Sequence, residues 1–387
     1  MNPTRLLYDA GQSLWIDNIT RAMLDSGTLE HYVHDLCVTG LTSNPTIFDH
    51  AIAHGQGYDA AIRARLGGKE GEELFFELAR AWLTEGKEGE ELFFELALED
   101  LRRAADLFLP IHRRTAGVDG WVSVEVSPLL AYDAAATLRA AKHLHEQGAR
   151  PNLLIKIPGT AEGLGAIEEA IFAGVPVNVT LLFSREQYRA AANAYLRGIE
   201  RRIEAGLGPV VGSVASVFVS RWDRAVHGKV PPSIANRLGL GVAATTYRAY
   251  RELLASDRWQ RLANKGARPQ RLLWASTSVK DPTLPDVLYV EGLAAPQTID
   301  TMPDATLLAF ADHGQYRGIL PDDEEKAERV LRAYADAGVN VTALADRLQR
   351  DGTASFVASW RDLLKTIEAK RKALAAADDR RGEEPSL

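Results

Sequence analysis

The sequence predicts an α/β fold, a (β/α)8 TIM barrel with additional helices. Short apolar runs alternate with longer amphipathic stretches almost throughout the chain, and eight runs of strand length can be counted. The main alternative is an open doubly wound sheet, which would carry a glycine-rich phosphate turn after its first strand. The first run continues as "SLWIDNITRAML", without such a turn. The barrel is therefore the better interpretation.

Each predicted strand is rich in β-branched, aliphatic or aromatic residues and is bounded by turn-forming residues. In chain order the eight strands are residues 13–19, 37–48, 121–128, 152–159, 175–184, 210–220, 271–279 and 286–294. Amphipathic stretches such as 131–149 and 184–206 separate them and predict the outer helices.

The fourth predicted strand carries a lysine inside an apolar run. Side chains alternate between the two faces of a strand, so Leu153, Ile155 and Ile157 are expected to contact the helices. Lys156 then points into the barrel, near its C-terminal end. Because a lysine is almost never buried without a partner or a task, this residue is the first candidate for chemistry.

The same alternation brings further polar side chains to the mouth of the barrel, where barrel enzymes place their active sites. The inward-facing candidates on the other strands are Asp17, Asn44, Glu125, Asn178 and Thr180. In the fifth strand, Val177, Val179 and Leu181 are expected to face the helices instead.

This residue set suits Schiff-base chemistry. A desolvated lysine amine loses its proton more readily and can attack a ketone, giving an iminium that draws electrons from the neighbouring bond. Asp17 and Glu125 could then supply the acid–base steps. A carboxylate close to the amine would oppose its deprotonation, and the sequence does not give the distances.

Each residue also has a structural interpretation. Asp17 could cap the helix that begins near Thr20, Asn44 could belong only to a turn, and Glu125 could be a salt-bridge partner of the lysine. That all of these polar groups share one mouth by accident is much less plausible than a common site.

Several motifs resemble those of the transaldolase family. "GLTSNPTIF" (40–48) and "LLIKIPGTAEGL" (153–164) look like its two signature motifs, and the second contains the family's Schiff-base lysine. "SVEVSP" (123–128), "NVTLLFS" (178–184) and "TIDTMPDATLLAF" (298–310) resemble the bacterial and plant-type members. The resemblance covers nearly the whole chain, with the motifs in family order.

The resemblance implies a role for each candidate. Lys156 would form the Schiff base, Asp17 would be the acid/base of carbon–carbon cleavage, and Glu125 with Thr180 would hold the catalytic water. The implied substrate-binding residues are Asn44, Asn178, Ser216, Arg221 and Lys280. The two asparagines would bind the dihydroxyacetone portion, and the serine and arginine of "SVFVSR" the phosphate, with added charge from the lysine. The alternative for Arg221 is a salt bridge with Asp223 or another acid.

The implied activity is that of a transferase. A transaldolase of the non-oxidative pentose phosphate pathway moves a dihydroxyacetone unit from sedoheptulose 7-phosphate or fructose 6-phosphate to glyceraldehyde 3-phosphate or erythrose 4-phosphate. One alternative is an enzyme resembling fructose-6-phosphate aldolase, a much shorter family that lacks the glutamate matched by Glu125. A catalytically silent barrel used as a binding protein is the other.

Charge and composition limit the partners and the cellular location that the protein can have. The net charge of −7 argues against a nucleic-acid partner, and the single cysteine, Cys37, fits a reducing compartment. No run approaches the roughly 20 apolar residues of a membrane span, and the first 18 residues lack a signal-peptide core. We expect a cytoplasmic protein without cofactor or metal, since the nine histidines show no ligand spacing. The oligomeric state stays open, with a homodimer among the options.

The segment "GKEGEELFFELA" occurs twice, at 68–79 and 86–97, which indicates a tandem duplication within one domain spanning 1–376. Its 18-residue period equals about five helical turns, so an inserted copy would keep its apolar face in register if the helix continued. No chemistry is expected there. The polar tail, 377–387, is predicted to be disordered.

Overall fold

A closed barrel of eight parallel strands forms the centre of the fold, in a computed structural model that describes residues 2–55, 57–66, 87–320 and 323–382. The strands are β1 (Ser13–Ile16), β2 (Val38–Leu41), β3 (Val122–Glu125), β4 (Leu153–Pro158), β5 (Val177–Leu182), β6 (Ser213–Phe218), β7 (Arg271–Ala275) and β8 (Ile299–Met302). They follow one another in chain order, and β8 pairs with β1 to close the barrel. The predicted fold class is confirmed.

Helices cover the outside of the barrel and extend beyond it. Within the described residues they are α1 (Pro3–Asp9), α2 (Arg21–Asp25), α3 (Thr28–Asp35), α4 (Pro45–His54), α5 (Asp59–Leu66), α6 (Lys87–Arg114), α7 (Ala134–Gly148), α8 (Gly163–Ala173), α9 (Arg185–Glu204), α10 (Ser220–Val226), α11 (Leu238–Ala255), α12 (Asp257–Ala263), α13 (Leu288–Gly292), α14 (Asp304–His313), α15 (Glu324–Asp336) and α16 (Val341–Gly382). A 3₁₀ turn at Pro128–Leu130 follows β3.

Seven predicted strands contain β1 to β7, but the eighth was wrong. Residues 286–294 hold the short helix α13, and the strand comes later, in "IDTM". The buried residues Val287, Val290 and Ala294 are three and four positions apart, which is the spacing of a helix face. The β-branched composition of the segment suggested a strand, whereas its periodicity is helical.

The lower half of the barrel is an apolar floor. One buried cluster contains inward-facing residues from near the N-terminal ends of five strands: Trp15, Leu154, Val214, Leu273 and Ile299. Trp15 needs the room left by Gly40 on the next strand, because a Cβ atom there would lie 2.5 Å from Cε2 of the indole. The floor fills the barrel below its C-terminal end.

Leu181 does not face the outer helices as predicted. It has a φ of +60°, and the register between β5 and β6 shifts between Val179 and Leu182. This irregularity interrupts the two-residue alternation, so Leu181 packs in the same cluster as Phe183 while Leu182 joins the outer core. The side chain of Leu181 thereby lies towards the C-terminal helix.

Helix α16 packs against the C-terminal edge of the barrel. Nε2 of Gln349 donates hydrogen bonds to the carbonyl oxygens of Gly159 at 2.9 Å and Leu181 at 3.0 Å. The hydroxyl of Thr46 also donates to that of Ser359 at 2.9 Å. These contacts hold the helix against the start of α4, the residue after β4 and the end of β5.

The prediction of a disordered tail at 377–387 begins too early in the chain. Helix α16 continues to Gly382, so the part of 377–387 that is described is helical, and residues 383–387 lie outside the described range. The sequence "ALAAADDRR" contains mostly alanine and arginine, which are strong helix formers. Intrinsic propensity therefore outweighs the polar composition on which the prediction rested.

Residues 87–97 of the second copy of the duplicated segment form the start of α6 and contribute to the core. The ring of Phe93 makes edge contacts with Phe48 and Trp360, with centroids 5.3 Å and 5.0 Å apart. Leu96 is also fully buried. The first copy, 68–79, lies outside the described residues.

Deleting residues 80–97 should leave the melting temperature unchanged within a few degrees and preserve activity. The shortened chain still carries one "GKEGEELFFELA" segment joined to Leu98, so identical side chains remain available for the core. Differential scanning calorimetry of both proteins checks this. Phe48→Ala is the control for a lost core contact and should cost about 3–5 kcal/mol. A comparable loss in the deletion variant would contradict interchangeability of the two copies.

Asp300 is a fully buried carboxyl group on the outer side of β8. Its Oδ1 accepts a hydrogen bond from Oγ1 of Thr277 at 2.9 Å, while Oδ2 has no hydrogen-bond partner among the described residues. Burial raises the pKa of Asp300 to about 7. Because the native state holds this proton more tightly than the unfolded chain, the stability contributed by the group is lost as pH rises from about 4 to about 7.

Asp300→Asn removes this titration and keeps the acceptor for Thr277. The stability of the variant relative to the parent should therefore rise with pH, by about 1.4 kcal/mol per pH unit between the two pKa values. Urea unfolding of both proteins at pH 5 and pH 8 measures the difference in their free energies of unfolding. The contributions of the other titrating groups are the same in both proteins and cancel. An equal difference at the two pH values would rule out a titration of Asp300.

Candidate active site

A cavity of about 330 Å³ opens at the C-terminal end of the barrel, as the sequence predicted. Seven of the nine predicted site residues line it: Asp17, Asn44, Lys156, Thr180, Ser216, Arg221 and Lys280. The other two contact this lining, because Glu125 lies against Lys156 and Asn178 is hydrogen-bonded to Ser216.

Lys156 is buried at the centre of the site, with 5% of its surface exposed. Its Nζ donates a hydrogen bond to the carbonyl oxygen of Ser43 at 2.9 Å and lies 3.4 Å from Oε2 of Glu125. Glu125 and Lys156 are register partners on β3 and β4, and this places both side chains at one level of the barrel. The hydroxyl of Ser43 donates to the carbonyl of Ser123 at 2.8 Å, which fixes the loop that carries the acceptor.

Glu125 pairs with the lysine and still has acceptor capacity. Burial raises the pKa of Glu125, and the positive charge of Lys156 partly offsets the increase. Neither carboxylate oxygen has a conventional hydrogen-bond partner among the described residues, and the same holds for the buried Oγ1 of Thr180. Buried polar atoms without partners are uncommon, so these groups are suited to bind a polar ligand or a water molecule.

Asp17 follows β1 directly and is held by residues of β8 and of the loop after β2. Its backbone N–H donates to the carbonyl of Met302 at 2.9 Å, and Oγ1 of Thr42 donates to Oδ1 at 2.7 Å. Since the single proton of Thr42 goes to the carboxylate, the hydroxyl of Thr301, 2.7 Å away, is the donor to Thr42. Burial raises the pKa of Asp17, against the opposing effects of Lys156 and Thr42.

A purely structural role was the alternative for Asp17 and for Asn44, and the structure shows a helix cap only at Asn44. Thr20 caps α2, because its side chain accepts from the N–H of Met23, and Asp17 is therefore not the cap. Asn44 does cap α4, through a hydrogen bond from the N–H of Ile47 to Oδ1 at 3.2 Å. Its side chain still lines the cavity. One residue thus both begins a helix and contributes to the site.

Asn178 lies beneath the cavity and is fully buried. Its Nδ2 donates to Oγ of Ser123 at 3.1 Å, and Oγ of Ser216 donates to its Oδ1 at 2.7 Å. One amide hydrogen and one oxygen lone pair remain for a ligand. The described contacts therefore make Asn178 a support for Ser216, which itself reaches the cavity.

Arg221 has aromatic neighbours and no carboxylate partner within 4 Å in the described part of the chain. Its guanidinium carbon lies 4.9 Å from the ring centroid of Phe218 and 5.9 Å from that of Phe356. Asp223, its suggested partner, instead accepts from the N–H of Leu238 at 2.8 Å. Burial lowers the pKa of Arg221, as does the charge of a neighbouring arginine. The guanidinium is thus available for an anion.

Sequence reasoning missed several residues of the cavity. Ser276 and Ser278 follow β7 and could have been found by their polar character there, whereas Thr301 lies inside β8, the strand that the sequence analysis misplaced. The positive φ of Ser276, +56°, ends β7 and turns the chain across the site. Phe356 offers no such signal, because it belongs to a helix far along the chain.

A comparison with known protein families decides the relationship. The sequence profile described as transaldolase/fructose-6-phosphate aldolase matches residues 14–367. The chain belongs to this family. The match spans every strand of the barrel except the first residue of β1, so the family relationship covers the whole site.

Curated relatives in the transaldolase family resemble this chain over nearly its full length. The transaldolase of Arthrobacter sp. strain FB24 is 42% identical over 385 residues, covering 97% of this chain and 98% of the relative. Transaldolases of Thermobifida fusca and Kocuria rhizophila are each 43% identical, over 375 and 376 residues. These alignments cover 95% of this chain and 97% and 98% of the two relatives.

Two further properties follow from the described residues of this family member. No group of three or more histidine, cysteine, aspartate or glutamate side chains among them is arranged to hold a metal ion. None of the helices described is both long enough and apolar enough to span a membrane.

Thr42→Val should move the acid limb of kcat/KM upward by about 1 pH unit. The substitution removes a hydrogen bond that favours ionised Asp17, so the pKa of this carboxyl group rises further. The pH profile of fructose 6-phosphate turnover measures the shift. Thr39→Val, which changes a buried threonine on β2 outside the cavity, should leave the profile unchanged. An unmoved limb in Thr42→Val would separate Asp17 from the titration that controls activity.

Proposed function

We propose that this protein is a transaldolase that transfers a dihydroxyacetone unit between sugar phosphates through a Schiff base on Lys156. One observation carries the proposal. A lysine amine lies inside a closed barrel, 3.4 Å from a buried glutamate, in a cavity that is also lined by Asp17 and Arg221. Arg221 has no carboxylate within 4 Å among the described residues. This arrangement supplies a nucleophile, two acid–base groups and an anion-binding cation within one site.

Lys156 attacks the ketose carbonyl at C2 and forms a carbinolamine. Loss of water from this intermediate needs a proton donor, and Glu125 is the nearest carboxyl group to the amine. The carboxylate oxygens of Glu125, which accept no hydrogen bond among the described residues, and the hydroxyl of Thr180 would hold the water molecule that shuttles this proton. The product is an iminium on Lys156.

Asp17 would act in cleavage of the C3–C4 bond. The bond breaks heterolytically when a base takes the proton of the C4 hydroxyl, and the electron pair moves into the iminium to give an enamine. The aldose phosphate then leaves. An acceptor aldehyde reverses the step, with Asp17 returning the proton. The hydrogen bond from Thr42 orients this carboxylate.

The remaining residues would bind the two ends of the substrate. Asn44 and Asn178 would hydrogen-bond the dihydroxyacetone hydroxyls near Lys156. Ser216, Arg221 and Lys280 would hold the phosphate, since all three line the same cavity and two of them carry positive charge.

The family and these contacts support a place in the non-oxidative pentose phosphate pathway. Sugar phosphates would be the substrates, with no resident cofactor. The single cysteine supports a cytoplasmic location. A homodimer is the expected assembly if the protein is not a monomer, and size-exclusion chromatography with light scattering decides between them.

Borohydride trapping tests the proposal. Incubation with fructose 6-phosphate and sodium borohydride should leave a reduced three-carbon adduct on the peptide containing Lys156, as found by mass mapping. Lys156→Met should lose both adduct and turnover by more than about 10³-fold, because the covalent route is removed. Lys280→Met, the matched control, should retain the adduct on Lys156.

A product assay then distinguishes the related activities. With erythrose 4-phosphate present, a transaldolase forms sedoheptulose 7-phosphate, whereas an aldolase releases free dihydroxyacetone. Absence of both adduct and turnover in folded protein would overturn the enzymatic proposal and favour a binding barrel.

A further inference from the structure

One wall of the catalytic cavity comes from the C-terminal helix α16. Gly352 and Phe356 are one helical turn apart and both buried, so they lie on the face of α16 that packs against the barrel. Phe356 lines the cavity, and Gly352 lies against the guanidinium of Arg221. Neither residue is among the catalytic or substrate-binding residues that the sequence predicts.

The space between Gly352 and Arg221 is too small for a methyl group without rearrangement. A Cβ atom built on Gly352 would lie 3.3 Å from Nη1 of Arg221 and 3.0 Å from Cδ2 of Leu181. Both distances are shorter than ordinary van der Waals contact. Glycine weakens a helix interior relative to alanine, so its presence at this position reflects the close approach of both Leu181 and Arg221.

Helix α16 cannot easily move away from the barrel to relieve such a contact. Gln349, almost one turn before Gly352, donates hydrogen bonds to the carbonyl oxygens of Gly159 and Leu181. Moving α16 outward would break both bonds and expose two buried carbonyl groups. The flexible side chains of Leu181 and Arg221 are therefore the groups that would move.

The position of Arg221 depends on packing because no carboxylate within 4 Å fixes it in the described part of the chain. Phe218, at the end of β6, and Phe356 each place an aromatic ring within 6 Å of its guanidinium carbon. Contacts of this kind orient a cation and leave its N–H groups available for a bidentate anion.

We propose that Gly352 and Phe356 are positioning residues that set Arg221 for the substrate phosphate. Through this arginine, α16 would control the preference for phosphorylated over unphosphorylated ketoses. The inference rests on the proposed function, since it assigns Arg221 to the phosphate. Neither residue takes part in the covalent steps at Lys156.

Gly352→Ala tests the proposal with two readouts. KM for fructose 6-phosphate should rise about fivefold to tenfold, with kcat within about twofold. Binding of inorganic phosphate, measured directly by calorimetry, should weaken by a similar factor. Borohydride labelling of Lys156 by unphosphorylated dihydroxyacetone should be unchanged, because the lysine is not displaced. Unchanged KM and unchanged phosphate affinity would overturn the proposal.

Gly165→Ala is the matched control. This glycine is exposed on α8 and a Cβ atom there would meet nothing within 4 Å, so the variant should keep the parental KM and phosphate affinity. Phe356→Leu gives an independent test should Gly352→Ala fold poorly. It should weaken phosphate binding at least threefold without loss of dihydroxyacetone labelling. An equal loss of phosphate affinity and of labelling would contradict a role of Phe356 that acts only through Arg221.

The calorimetric readout separates this inference from the proposed function. A parent protein that binds inorganic phosphate but shows no adduct or turnover would refute the transaldolase proposal, while the Gly352→Ala comparison would still report on Arg221. A parent that turns over substrate but has the same phosphate affinity as both variants would refute only the inference.

Discussion

The buried contact between Lys156 and Glu125 is the constraint on which the rest of the site depends. An ammonium group removed from water is costly unless it is paired and hydrogen-bonded. Here the amine has Glu125 at 3.4 Å and the carbonyl of Ser43 at 2.9 Å. The two partners come from β3 and from the loop after β2, so they meet Lys156 only when β2, β3 and β4 lie side by side in the observed register. The fold and the reactivity of the lysine are therefore linked.

The apolar floor and the C-terminal helix limit access of solvent to this contact from two directions. Trp15 and its neighbours fill the barrel below, and α16 covers part of the rim, where Gln349 holds it to the ends of β4 and β5. Low polarity around the site raises the pKa of Asp17 and of Glu125. The hydrogen bond from Thr42 opposes this effect at Asp17, which keeps the two carboxyl groups in different environments suited to different steps.

The two errors in the predicted strands have different physical origins. Residues 286–294 have the composition of a strand but bury Val287 and Val290 on a helical face. Leu181 follows the alternation of β5 in the sequence, yet its positive φ turns the side chain towards α16. The first prediction followed composition although the spacing of the buried residues is helical. The second followed simple alternation, whereas the backbone irregularity in β5 places Leu181 against a distant helix.

The sequence by itself determined the barrel, seven of its strands and the inward placement of Lys156, Glu125 and Thr180. These features depend on local alternation and on parallel strands whose C-terminal ends meet at one edge. The alternation and the order of the strands can both be recognised in a single sequence. Only the tertiary structure decided that Asn44 also caps a helix, that Asn178 supports Ser216, and that Arg221 lies between Phe218 and Phe356. Those contacts join segments far apart in the sequence, and no local periodicity records which distant side chain will occupy the space beside a given residue.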